Sequence, residues 1–212
     1  MKLKLDRSEV LRYMGHSGND AHIVQIADDA IACITRIAIP RYTWIITTPD
    51  ALPLSGNDIR RHLDGCERMA VLCATLGAAV DREIRLAEHR SMLMALALDA
   101  AAGDAIEKVC DAAEDELRMQ AGEQEQFLTG RYSPGYGDLP LTLQPDIIAL
   151  CDAPRRIGLS VTETNILTPR KSVTALLGLS SQPVRGHARG CGTCRLSDHC
   201  PYRKRGIRCG SS

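Results

Sequence analysis

The sequence predicts an α+β fold in which a mixed or antiparallel twisted sheet is covered by helices, and three observations lead there. Segments of strand-like alternation occur at 41–46, 69–76 and 173–179. One helical stretch from 78 to about 121 is too long and too alanine-rich to be anything else. Strands and helices do not alternate as they would in a regular βαβ series. At 212 residues the chain has room for one such domain and a short appendage.

The elements follow in order. Asp6 is placed to cap a short helix ending near Gly15, and Asp20 to cap a second with Ile23, Ile26, Ala27, Ala30, Ile31 and Ile34 on one face. Pro40 closes it. Tyr42, Trp44 and Ile46 then alternate with Arg41, Thr43 and Ile45, a strand that ends at the Pro49-Asp50 turn. Asn57 is expected to cap a helix through His62, a strand follows at 69–76, and Gly77 opens the long helical stretch, which Ser91 divides. A strand is expected at 124–129, a loop at 130–140, and a helix begun by Pro145 with Ile147, Ile148, Leu150 and Cys151 inward. Residues 157–164 and 173–179 read as two further strands. From Ser180 the texture changes to Gly, Pro, Ser, Arg and Cys, so the chain divides into a domain at 1–180 and a tail at 181–212.

Acidic and basic residues balance at 26 each, which removes any global charge argument for nucleic acid or an anionic membrane. The start, MKLKLDRSEV, has no apolar signal core, and the most apolar stretch, 92–102, is short and interrupted by Asp99. A cytoplasmic protein is expected. His16, His62 and His89 have no spaced partners and read as surface residues.

Nine cysteines are placed unevenly. Cys33, Cys66, Cys73, Cys110 and Cys151 lie in apolar surroundings, where a thiol acts as a small hydrophobe. Cys191, Cys194, Cys200 and Cys209 crowd the end of the chain, with Cys191 and Cys194 at the C-x-x-C spacing that lets two thiolates share one metal. Zinc would order a tail that has no core of its own, an iron–sulfur cluster would give it an electron-transfer role, and unliganded thiols are the third reading. His199 is a possible substitute ligand. Arg185, Arg189, Arg195, Arg203, Lys204, Arg205 and Arg208 in the same segment would dock an acidic partner or offset the thiolate charge.

The segment Arg131-Tyr132-Ser133-Pro134-Gly135-Tyr136-Gly137-Asp138 combines a Pro-Gly turn with a planar donor fork and an aromatic face. On its residues alone it reads either as a ligand-cradling loop or as an ordinary turn beside a surface arginine. Its Arg-x-x-x-Gly-Tyr pattern is followed by Ile157-Gly158-Leu159-Ser160-Val161-Thr162-Glu163-Thr164, then Thr168-Pro169 and Lys171-Ser172-Val173. Together these segments resemble the activation domain of cobalamin-dependent methionine synthase. The chain looks like a stand-alone version of that domain.

The resemblance implies that this loop holds S-adenosylmethionine, with Arg131 gripping the amino-acid carboxylate and Ser133, Gly135 and Tyr136 lining the pocket. Glu163 would orient the ligand or simply finish a strand. Asp99, Asp104 and Glu107 lie on the helix before the loop and would either meet the cofactor's positive groups or form a solvated face. Two departures stand out: Gly137-Asp138-Leu139-Pro140 replaces the family's Pro-Ala-Cys-Pro type sequence, and Thr174-Ala175 stands where the full-length synthases carry an aromatic pair. The implied activity is that of a methyltransferase component. A partner's inactive Co(II) corrinoid takes one electron from a low-potential donor, and the resulting Co(I) is methylated by S-adenosylmethionine. The partner is expected to be a corrinoid-dependent methyltransferase, a methionine synthase without its own activation domain. Alternatives from other classes are a non-catalytic iron–sulfur or zinc electron-transfer protein and an S-adenosylmethionine sensor.

Overall fold

A computed structural model describes residues 1–183 except Lys2, Ser17 and Asn19. Local caps set the first elements. Asp6 accepts the Ser8 amide at 2.8 Å and starts α1 (Arg7–Tyr13), and Asp20 accepts the His22 amide at 2.9 Å and starts α2 (Ala21–Ile37). β1 (Arg41–Thr47), α3 (Asn57–His62) and β2 (Arg68–Thr75) follow. Gly77, at φ +85°, leads into α4 (Ala78–Glu88). Ser91 separates α4 from α5 (Met92–Glu123), its hydroxyl accepting the Met94 amide at 3.3 Å. The chain continues through β3 (Phe127–Leu128), α6 (Gln144–Leu150), α7 (Ala153–Ile157), β4 (Ser160–Val161), β5 (Leu167–Thr168) and β6 (Ser172–Ser180).

The main sheet has the order β1-β2-β6-β3 and every neighbouring pair is antiparallel. β4 and β5 form a separate hairpin. The period-2 geometry of a strand divides β2 and β6 between two cores. Ala70, Leu72, Ala175, Leu177 and Leu179 meet Ala113, Leu117 and Ala121 of α5. Met69, Val71, Cys73 and Leu176 point the other way, to Ile59 of α3, Ile147 and Ile148 of α6, and Ile157 of α7. The expected α+β sheet covered by helices is therefore observed, with helices on both faces, which is why β2 and β6 read as near-continuous apolar runs.

On α5, Ala97, Ala101, Ala102 and Ala105 are fully buried in the core shared with α1, α2 and α4. Small side chains let these helices approach closely, so there is no space for a larger one. Ala105→Leu is expected to destabilise the fold by about 1–3 kcal/mol, read as a lower urea midpoint at unchanged slope. A midpoint equal to wild type would show that this helix layer is loosely packed.

Several expectations need correction. Asn57 is not the cap of α3: Gly56 occupies that position without a side-chain bond, and the Asn57 amide is held from elsewhere in the chain. The expected strand at 124–129 is paired in the sheet only at Phe127 and Leu128. The expected strand at 157–164 shrinks to Ser160–Val161, because Ile157 ends α7, a five-residue helix too short to leave a periodic signal. His62 is buried, 4% exposed, rather than a surface residue. Cys73, Cys110 and Cys151 are buried, whereas Cys33 and Cys66 are only partly so. Among the described residues no helix is long and apolar enough to cross a membrane.

Candidate functional site

The site begins where the chain runs along one edge of β6. The Thr129 amide donates to the Gly178 carbonyl at 2.9 Å, and Tyr132 and Leu176 exchange backbone bonds at 2.9 and 2.8 Å. The chain then folds into two linked turns. The Tyr136 amide donates to the Ser133 carbonyl at 3.0 Å, which puts Pro134 and Gly135 at the central positions of the first turn, Gly135 with φ +93°. The Leu139 amide donates to the Tyr136 carbonyl at 3.0 Å and the Gly135 amide to the Leu139 carbonyl at 2.8 Å. Gly137 has φ +54°, and a Cβ there would collide with the Tyr132 hydroxyl and the Asp58 carboxylate, so the second turn requires glycine.

Arg131 points away from the turns and onto α5. Its Nη2 donates to Glu107 at 2.8 Å and to Asp111 at 2.9 Å, and Nη1 lies 3.3 Å from Glu114. Glu107, Asp111 and Glu114 fall at i, i+4 and i+7, one face of the helix. Burial works against a charge on Arg131, whose side chain is 6% exposed, but Cys110 and the three carboxylates outweigh it and raise its pKa. Burial pushes the Cys110 thiol up to about 12, so Cys110 acts on Arg131 only as a thiolate at high pH and the three carboxylates act at neutral pH. Nη1 has no hydrogen-bond acceptor although it is buried, leaving one donor of the fork unused among the described residues.

Tyr136 stands at the rim. The residue is 60% exposed and its ring meets Tyr132 edge-on at 6.1 Å. Partial desolvation, then Glu107, raise its phenol pKa. The structure thus brings Arg131, Ser133, Gly135 and Tyr136 into one loop beside Glu107. Glu163 is elsewhere, exposed in the β4–β5 turn that the Thr162 amide closes on Ile166 at 2.9 Å. Asp99, Asp104 and Glu107 do not form a common solvated face. Asp99 pairs with Lys171 at 2.8 Å, Asp104 is buried and accepts the Asp6 amide at 2.8 Å, and Glu107 pairs with Arg131. Asp111 and Glu114 were missed as partners of the loop, although their positions four and seven residues after Glu107 mark a charged stripe on an apolar helix.

The second motif segment is pinned to the same layer. Asp81, in the first turn of α4, accepts the amides of Arg170 and Lys171 at 2.6 and 3.4 Å, and the Lys171 ammonium also donates to the Asp99 carbonyl at 3.0 Å. Ser172 bonds the Pro169 carbonyl at 2.6 Å and the Thr75 hydroxyl at 2.8 Å. These bonds fix the start of β6. Its stretch Ser172-Val173-Thr174 has β2 on one side and, among the described residues, no strand on the side that carries Tyr132. Thr174 in this stretch is buried and donates to Gln144 at 2.7 Å.

No protein-family model matches the sequence, and no curated protein matches it either. Among solved structures, the crystal structure of the MetH reactivation domain bound to AdoHcy is similar, with a TM-score of 0.61 at 13% identity over 96% of this chain and 82% of that one. The fold is that of a MetH reactivation domain. In this fold the Arg131 loop runs along the edge of β6 and Lys171-Ser172-Val173 leads into the same strand, whereas residues 157–164 lie in α7 and the β4–β5 hairpin. No group of three metal-ligating side chains occurs among the described residues, and Cys191, Cys194, Cys200 and Cys209 lie outside them.

Proposed function

We propose that the protein binds S-adenosylmethionine at the 131–136 loop and supports reductive methylation of the corrinoid of a partner methyltransferase, a methionine synthase lacking its own activation domain. The observation that carries this reading is that the Arg131 loop bridges to β6 at Leu176 and the Lys171-Ser172-Val173 segment leads into the same strand, within a reactivation-domain fold. Arg131 takes its role from the resemblance, as the group for the ligand's carboxylate, and its guanidinium is engaged here by Glu107, Asp111 and Glu114. Ser133 and Gly135 contribute backbone, and Tyr136 a ring face. Glu107, Asp111 and Glu114 surround one arginine with three carboxylates, a net negative field that favours a sulfonium and an ammonium over a neutral thioether.

S-adenosylmethionine supplies the methyl group, cobalamin remains on the partner, and the electron comes from a low-potential donor. The chain's own work is to hold and orient the methyl donor, so no side chain here is assigned as a general base. Cys191, Cys194, Cys200 and Cys209 would bind an iron–sulfur cluster or zinc in a tail separate from the 1–180 domain. The complex with the corrinoid protein is expected to be transient, favoured by Co(II) and weakened by the methylated state. Calorimetric titration with S-adenosylmethionine tests binding. Methyl-cobalt formation, followed spectroscopically with a corrinoid methyltransferase from the same cell and a strong reductant, tests the role. Binding without acceleration would turn the reading toward a sensor, and absence of binding would sink it.

A further inference from the structure

We propose that Asp138 is a positioning residue that clasps the ligand loop onto α3, an inference that rests on the binding role given above to residues 131–136. Its carboxylate accepts the Asn57 amide at 2.5 Å and the Asp58 amide at 3.1 and 3.3 Å. These are among the amides that a helix leaves without internal partners at its start. α3 has no cap of its own, since Gly56 offers no side chain, and the group that caps it lies some eighty residues away in sequence. The backbone is built around this contact. Gly56 has φ +128°, and a Cβ there would run into the Asp138 carboxylate.

The opposite end of α3 holds the other end of the loop. His62, the last residue of α3, lies against the Tyr132 ring at 4.9 Å between centroids and 37° between planes, and its Nε2 is 3.0 Å from the Thr129 hydroxyl. Between these two attachments lie Ser133, Gly135 and Tyr136. α3 itself is held in the core by Ile59. The loop contains Gly135 and Gly137, both at positive φ, so its own backbone is permissive and the clasp at Asp138 selects one of its conformations. Fixing the loop before the ligand arrives raises affinity by the fraction of time the competent form exists.

A carboxylate suits this task because the helix start presents amides and a partial positive charge. Partial desolvation opposes ionisation of Asp138, but the amides of Asn57 and Asp58 outweigh it and lower its pKa. A depressed carboxylate contributes fully above its unfolded pKa and is lost only as pH falls through the lower folded value. The clasp therefore stays closed at neutral pH. It also belongs to this chain, because Gly137-Asp138 stands where the methionine-synthase pattern has a different sequence.

The test compares wild type with Asp138→Ala, Asp138→Asn and, as a remote stability control, Ile34→Val on α2. S-adenosylmethionine affinity is measured by calorimetry at pH 7, and amide hydrogen exchange is followed at Gly135 and Tyr136. Asp138→Ala is expected to weaken binding on the order of tenfold and Asp138→Asn, which keeps one acceptor oxygen, about threefold. Both should speed exchange in the loop, whereas Ile34→Val should lower the melting temperature and change neither. Equal affinity for wild type and Asp138→Ala, or the same affinity loss in Ile34→Val, would overturn the positioning role and leave the binding role intact. If wild type does not bind, the functional reading fails by itself. Loop exchange then decides the clasp alone, and unchanged exchange in Asp138→Ala overturns it.

Discussion

Arg131→Ala is expected to weaken S-adenosylmethionine binding by roughly thirtyfold or more, equivalent to about 2–4 kcal/mol for a desolvated arginine–carboxylate contact. The structure adds a second consequence. Arg131 is the cation set among a stripe of three acids on α5, and the Glu114 side chain is itself only 12% exposed. Removing the guanidinium leaves these carboxylates facing one another, and a stability loss of about 2 kcal/mol is expected after discounting the half-exposed Glu107 and Asp111 for solvent screening. Arg131→Lys separates the two effects. It keeps the charge that holds α5 but loses the planar fork, so it should fold nearly as well as wild type and still bind roughly tenfold more weakly. Urea titration and calorimetry on the same preparations measure both quantities. Unchanged affinity in Arg131→Ala would remove Arg131 from the binding site and leave it as a structural ion pair.

Deleting residues 185–212 is expected to remove all bound metal while leaving S-adenosylmethionine affinity within about twofold of the full chain. The cut spares the end of β6. There the Ser181 hydroxyl donates to Glu67 at 2.7 Å and the Gln182 amide to the Ser180 hydroxyl at 3.1 Å, so the last strand keeps its tether. With an iron–sulfur cluster, anaerobic full-length protein is brown and the deletion abolishes electron delivery. With zinc, it is colourless and holds about one metal per chain. Elemental analysis of reduced, anaerobically prepared protein decides, and finding neither metal would end the reading of Cys191, Cys194, Cys200 and Cys209 as ligands.

The elements legible in the sequence are those whose causes are local. Asp6 and Asp20 cap α1 and α2 and were recognisable from their positions before an apolar stripe, and Ser91, expected to divide the long helix, does so by capping α5. β1, β2 and β6 are long enough for alternation or apolar runs to show. The Pro134-Gly135 turn was likewise written in the residues that compose it. β3, β4 and α7 were missed or misplaced because two to five residues carry no periodic signal, and they persist through the neighbours they pack or pair with.

Sequence by itself determined the fold class, the starts of α1 and α2, the central strands and the placement of Arg131, Ser133, Gly135 and Tyr136 in a single loop, because propensity, capping and periodicity act over short separations. Only the tertiary structure decided what those residues face. The three carboxylates over Arg131 lie on a helix some twenty residues upstream, the cap of α3 is supplied by Asp138, and His62 is buried against Tyr132. Each of these contacts joins parts of the chain whose separation is closed by burial in the cores on either side of β2 and β6, and no short-range pattern records which groups such a closure brings together.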